Sequence, residues 1–238
     1  MDDEPGVLSS EAADWPASRR DSAYEKLLTA VIFGDLPPGA VVDEKQIASH
    51  FGLGLASVRD ALGRLALEGL VDRQARVATR IPDLTVRELQ DVFEARILLE
   101  GHCAGLAAQR AGAEEIAALR GAFEGFGQAM AARDFRALVR MDQVFHRTLA
   151  AATRNRVLEQ QMIGLHNSAS RFWYFGIPRL DPAALRADIE AHLSIAELIA
   201  ARDVAGAERG MRALLGLFPD HATVFLSRPI SLTEVPER

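Results

Sequence analysis

The sequence predicts an all-α chain with a small β-wing, arranged as an N-terminal winged helix-turn-helix and a C-terminal six-helix antiparallel bundle. Three observations carry this expectation. Ala, Leu, Arg and Glu are abundant while Val, Ile and aromatic residues are sparse, which favours helix over strand. Glycine and proline punctuate residues 34–39 and 52–54, so the first third of the chain divides into short helical segments and then two short extended ones. From Thr85 onward apolar residues recur at helical spacing with few breaks.

The 238 residues leave ample material for one large or two smaller cores. With 49% hydrophobic and 25% charged residues, the composition is that of an ordinary globular protein. The net charge of −6 argues against a general nucleic-acid coat, yet basic and acidic residues nearly balance over 19–81, so the acidity lies elsewhere. The single cysteine, Cys103, excludes an internal disulfide and fits a reducing cytoplasm. The acidic N-terminus does not read as a signal peptide, and no apolar run reaches the roughly 20 residues a membrane span needs.

Residues 1–17 read as a disordered arm. A first helix is expected over 18–34, with Tyr24, Leu27, Leu28, Val31 and Ile32 as its buried stripe. Asp43 can cap a short helix over 44–50, which faces Ile47 and Ala48 inward. After the turn Phe51-Gly52-Leu53-Gly54, a third helix over 55–68 buries Val58, Ala61, Leu62 and Leu65. Extended segments at 70–73 and 76–81 can pair as a hairpin. Two helices joined by a glycine-bearing turn and followed by a hairpin describe a winged helix-turn-helix over 18–81, whose third helix would enter the major groove. Ser57 and Arg59 would then face base edges, with Lys45, Arg64 and the wing residue Arg76 as further DNA contacts; a guanidinium fork matches guanine O6 and N7. On spacing alone, a plain three-helix cluster with a solvated Arg59 and Arg64 face fits equally well.

Over 82–226 the expected helices are 85–111, opened by a Thr85/Glu88 capping box, then 113–132, 134–153 and 155–175. A helix follows the Asp181-Pro182 start signal, and a last one opens at Asp203 and runs to a break near Pro219. Residues 227–238 read as a loose tail. One of these helices carries an anomaly. Leu138, Phe145 and Leu149 share an apolar face, and Asp142 falls in its middle with His146 one turn on. His192 interrupts the apolar face made by Leu185, Ile189, Ala196 and Ile199 in the same way. A buried carboxylate needs a cation or strong donors. A hydrogen-bonded core pair and a metal or ligand site both meet that need, and bundles build such sites between facing helices.

The run Gly34-Asp35-Leu36-Pro37-Pro38-Gly39, then Asp43-Glu44-Lys45-Gln46-Ile47-Ala48, Val58-Arg59-Asp60-Ala61-Leu62 and Glu68-Gly69-Leu70-Val71, resembles the DNA-binding domain of the GntR family of bacterial transcription regulators. Two departures stand out: Gly54-Leu55 replaces the family's usual Ser-Arg at the start of the recognition helix, and the wing tip is Gln74-Ala75-Arg76-Val77 without the customary Arg-Gly. The second half, through Glu94-Ala95-Arg96 with Glu100, Asp142-Gln143-Val144-Phe145-His146, Asn155 and Glu190-Ala191-His192, resembles the all-helical FCD ligand-binding domain of the FadR-type branch, and six helices point to its VanR-like subgroup.

That resemblance implies a homodimer that binds a double-stranded DNA operator and a small effector, a carboxylate, and that touches no membrane. It also implies a Zn or Ni ion held by Asp142, His146 and His192, with the fourth ligand position falling on Leu214, which cannot coordinate. A three-ligand site, a site completed by His166, and a metal-free pocket are all consistent with this. Arg96 and His166 are the candidates for effector binding, Arg96 for the carboxylate, with a structural pair to Glu100 as its competing role. His50 and His102 read as ordinary residues, and His221 lies too far along a straight helix to replace the missing ligand. Two other classes stay open: a metal-dependent helical-bundle enzyme, and a winged helix repurposed for protein contacts.

Overall fold

A computed structural model describes residues 22–74 and 78–217. They fall into two compact units divided between Asp83 and Leu84. The expected arm 1–17, the wing tip with Arg76, Pro219, His221 and the tail 227–238 lie outside the described residues.

In the first unit, α1 (Ser22–Ile32) buries Leu27, Leu28, Val31 and Ile32 against α3 (Leu55–Leu67), which contributes Val58, Ala61, Leu62 and Leu65. Between them α2 (Glu44–His50) starts at Asp43, whose carboxylate accepts from the Lys45 and Gln46 amides and so satisfies two of the free N–H groups of a helix start. Gly52, at φ +61°, supplies the left-handed residue of the turn from α2 to α3. The wing differs from the expected hairpin. β2 (Asp72–Gln74) and β3 (Ala78–Arg80) pair as foreseen, but β1 (Val41–Val42) adds on the far side of β3 with Val41 opposite Arg80, giving a three-stranded antiparallel sheet in the order β1-β3-β2. Two residues are too short a run to show an alternating pattern, which is why the sequence conceals β1.

The second unit consists of α4 (Val86–Arg110), α5 (Ala113–Gly121), α6 (Phe126–Ala132), α7 (Phe135–Ala152), α8 (Arg156–Gly176), α9 (Pro182–Ala200) and α10 (Val204–Gly216), with a short 3-10 turn at Ile177–Arg179. The expected single helix over 113–132 is therefore two. The chain turns at 122–125, with Gly125 at φ +81° and Phe123 folded into the core against Phe145. Counted as rods the bundle has six, counted as helices seven.

Every corner of this unit is short, and three share one device. Arg133, Arg154 and Arg202 adopt left-handed φ of 54°, 50° and 61°, and each is followed by an N-cap (Asp134, Asn155 and Asp203) whose side chain accepts from the next helix. The most intimate pairing is α4 with α10. Gly101 and Gly105 face it, and a Cβ built at those positions would lie 2.6 Å from Arg212 and 2.7 Å from Glu208. No described helix is long and apolar enough to cross a membrane.

Candidate functional site

Helical periodicity brings the anomalous residues together. α7 buries Leu138, Phe145 and Leu149 and with them Asp142 and His146; α9 buries Leu185, Ile189 and Ala196 and with them His192. α4 contributes Arg96 and Glu100, and α8 contributes His166, all buried. Asp142 Oδ1, His146 Nε2 and His192 Nε2 converge on one point, with separations of 3.6 Å from Asp142 to His146, 3.4 Å from Asp142 to His192 and 3.2 Å between the two rings.

Proton positions follow from the partners. His192 Nδ1 lies 2.8 Å from the Asp188 carbonyl oxygen, which only accepts, so Nδ1 carries the proton. His146 Nδ1 lies 2.7 Å from Glu100 Oε2; the contact is off the ideal hydrogen-bond line, but two bare acceptors would not approach so closely. Burial raises the Glu100 carboxyl, yet Arg96 and His146 outweigh it and hold the group well below the ordinary carboxylate range, so this proton sits on His146. Burial likewise works against ionised Asp142, and His146, His192 and His166 together overcome it. Both Nε2 atoms and the Asp142 oxygen thus aim lone pairs at each other unless a proton or a cation lies between them.

A tetrahedral divalent ion with bonds of about 2.0–2.2 Å needs donors about 3.3–3.6 Å apart. Two of the three separations fall in that range and the third, 3.2 Å between the rings, lies about 0.1 Å below it, so the residues fit such an ion. Burial lowers His192, but the Asp188 charge and the Asp142 contact exceed that and leave the ring above its ordinary value, so a proton competes with a cation for this place.

His166 is differently placed. It forms a second possible donor group with Glu100 and His146 and stacks on the His146 ring at 4.4 Å. Its Nδ1 is 3.2 Å from Arg96 Nη2, and a guanidinium only donates, so Nδ1 is bare and Nε2 carries the proton toward Asp142 Oδ2 and Ser170 Oγ, each at 3.4 Å. Burial, then the neighbouring His146, lowers its pKa well below the ordinary value, which keeps the ring neutral. Arg96 donates from Nε to Glu100 Oε1 at 2.5 Å, so the structural pair is present, and Arg96 also lines the cavity beside the three donors. That cavity, partly open and with about 350 Å³ of empty space that includes open solvent, is walled by Phe93, Trp173, Leu214 and Leu215 and edged by Ser170 and Asp188. Leu214 stands in the wall and offers no donor. Cys103 is buried nearby in α4; burial and then Glu100 push its thiol up to about 11, which leaves it inert.

In the first unit, Lys45 and Ser57 are exposed at the starts of α2 and α3. Arg59 is exposed too, and its Nε donates to Glu44 Oε2 at 2.7 Å. Arg73 of β2, which periodicity could not single out, joins them with Nη2 3.3 Å from Glu44 Oε1. Arg64 is apart from this group, in the last turn of α3, with its guanidinium 3.9 Å from the centre of the Tyr24 ring. Gly54 caps α3 without a side-chain hydrogen bond, and Leu55 opens the helix half-exposed.

Comparison with known proteins places these features in context. Residues 19–81 match the bacterial regulatory proteins of the gntR family, and residues 91–217 match the FCD domain. A probable D-xylose utilization operon transcriptional repressor of Paenarthrobacter nicotinovorans is 35% identical over 127 residues, 52% of this chain and 55% of that protein. The chain thus spans about half the length of that relative. The HTH-type transcriptional repressor GlaR of Escherichia coli (strain K12) is 27% identical over 200 residues, covering 79% of this chain and 89% of GlaR. The solved structure of E. coli McbR/YncC superimposes with a TM-score of 0.75 at 21% identity, over 89% of this chain and 99% of that one, a likeness of fold.

Proposed function

Since the chain belongs to the GntR-type regulators that carry an FCD domain, we propose that it is a metabolite-sensing transcription regulator, with a DNA-binding unit in residues 18–81 and a sensing unit in 82–226. The observation that carries the sensing half is the convergence of three lone-pair donors, Asp142, His146 and His192, beside an open cavity edged by Arg96. Asp142, His146 and His192 would hold Zn or Ni; the ion when bound supplies positive charge and an open coordination position for an effector carboxylate. Glu100 orients His146, the Asp188 carbonyl orients His192, and His166 steadies Asp142 from outside the donor set, the supporting contacts on which metal affinity depends. Arg96 adds charge to the carboxylate end of the cavity while anchored to Glu100.

On the DNA side, Arg59 and Ser57 would read base edges and Lys45 a phosphate, with Arg73 as a further backbone contact and Arg64 held back on Tyr24. Glu44 pairs with Arg59 and Arg73 in the free protein, so operator binding exchanges that carboxylate for DNA. A homodimer matches two half-sites related by two-fold symmetry, and the buried, unreactive Cys103 suits the cytoplasm. The names of the relatives, all transcription regulators, weigh against an enzyme and against a winged helix used for protein contacts.

The test measures metal content and operator binding in the same preparation. Protein purified without chelator is expected to hold one divalent ion per chain, to lose melting temperature on chelation, and to bind a genomic operator fragment. Absence of metal with no response to added Zn or Ni overturns the metal; failure to retain any genomic fragment at low salt overturns the regulator.

A further inference from the structure

In the metal-site reading the Asp188 side chain ligates nothing; its charge acts only at a distance, on the His192 ring. It sits on α9 one turn before His192 and edges the cavity, with its side chain 26% exposed. His192 Nδ1 is 3.5 Å from Asp188 Oδ2, but that nitrogen has a single proton, already given to the Asp188 backbone carbonyl at 2.8 Å. Orientation of His192 is therefore achieved without the carboxylate. Among the described residues, the cavity that the carboxylate faces has one Lys or Arg side chain, Arg96, which is committed to Glu100.

Charge balance then constrains what the cavity takes. Arg96 and Glu100 cancel each other, and a divalent ion cancels Asp142 and Asp188 when the histidines are neutral. A simple carboxylate entering that site adds an uncompensated negative charge next to Asp188 in a place of low dielectric, which is unfavourable. A molecule bearing a carboxylate and an ammonium adds none, and its ammonium matches an acceptor-only group. Resting on the sensing role proposed above, we infer that the effector is a zwitterionic amino acid with an apolar side chain. Its carboxylate lies toward the donor cluster and Arg96, its ammonium on Asp188, and its side chain against Phe93, Trp173, Leu214 and Leu215.

The experiment is a calorimetric titration of the metal-loaded full chain with three matched series: apolar amino acids, the corresponding 2-hydroxy acids, and the corresponding acids lacking either group. Leucine, 2-hydroxy-4-methylpentanoate and 4-methylpentanoate form one such triple. The amino acid is expected to bind at least about tenfold more tightly than its hydroxy and unsubstituted partners, as a charge-assisted bond replaces a neutral or missing one. Asp188→Asn should reduce that preference to about two- or threefold, weakening the amino acid and tightening the unsubstituted acid, whose carboxylate no longer meets a like charge. The wild-type series decides even if the variant folds poorly. Equal or tighter binding of the hydroxy or unsubstituted acid, an undiminished preference in Asp188→Asn, or no binding by any amino acid overturns the assignment. Operator binding, measured alongside, separates that failure from failure of the regulator itself, which would remove DNA retention as well.

Discussion

At the scale of single residues, the site is governed by which atoms carry protons. His192, whose ring is held above the ordinary histidine value, binds a proton more tightly than a free imidazole, and that proton competes with an incoming cation. Asp142, held far below the ordinary range, is ionised throughout and adds nothing to the pH dependence. Apparent affinity for Zn or Ni is therefore full above the raised His192 pKa and falls as pH drops through it, checked by competition with a metal indicator at stepped pH. Glu100→Gln should weaken metal binding about 10–100-fold by loosening His146. It should also destabilise the fold by roughly 3–5 kcal/mol by leaving Arg96 buried without its partner. Leu214→His should tighten metal binding, because it puts a donor into the wall of the same cavity; an unchanged affinity would mean that the new ring does not reach the donor cluster. Asp142, His146 and His192 were legible in the sequence because each interrupts an apolar helical face. Asp188 was not, since it lies on the flank of its helix, where a carboxylate breaks no pattern, and only the packed bundle shows that this flank borders a cavity.

At the scale of elements, the three left-handed arginines make a graded test of helix corners. A left-handed L-residue costs roughly 1–2 kcal/mol, and glycine there returns part of that as chain entropy. Among the described residues the Arg133 side chain makes a ring contact alone, its guanidinium 5.2 Å from the centre of Phe135. Arg133→Gly should therefore raise the melting temperature by about 1–4 °C. Arg202 donates to the Ala108 carbonyl at 3.1 Å and Arg154 pairs with Glu115 at 2.5 Å, so the same change at those corners should give no gain or a loss. On the DNA side, Arg59→Ala should cost roughly 1–3 kcal/mol and relax operator preference, whereas Lys45→Ala should weaken all sequences alike. Leu55→Arg should raise affinity and steepen its salt dependence by about one phosphate contact, and equal affinity at low and physiological salt would show that this turn of α3 faces away from DNA. The break at 122–125 was hidden because Ala122, Phe123 and Glu124 are acceptable helix residues, so only Gly125 marks a corner that Phe123 enforces by its burial against Phe145.

For the molecule as a whole, the division into a small winged unit and a helical bundle was legible from the glycine and proline spacing and the change of period at Thr85. The pairing of α10 with α4 was not. Nothing local in either helix names its partner, and Gly101 and Gly105 acquire meaning only when Arg212 and Glu208 lie across them. A chain ended after residue 203 should keep most of its helix content but bind a hydrophobic dye and lose sharp thermal melting, because α4 would be left uncovered. This pairing also sets an order of events on the ribosome. About a hundred residues separate the two helices, so at roughly 5–20 residues per second the face of α4 waits on the order of 5–20 s for its cover. The winged unit has by then been out of the tunnel longer than the helix that completes the cavity. A nascent chain can thus display a finished DNA-binding unit before it has any means of sensing.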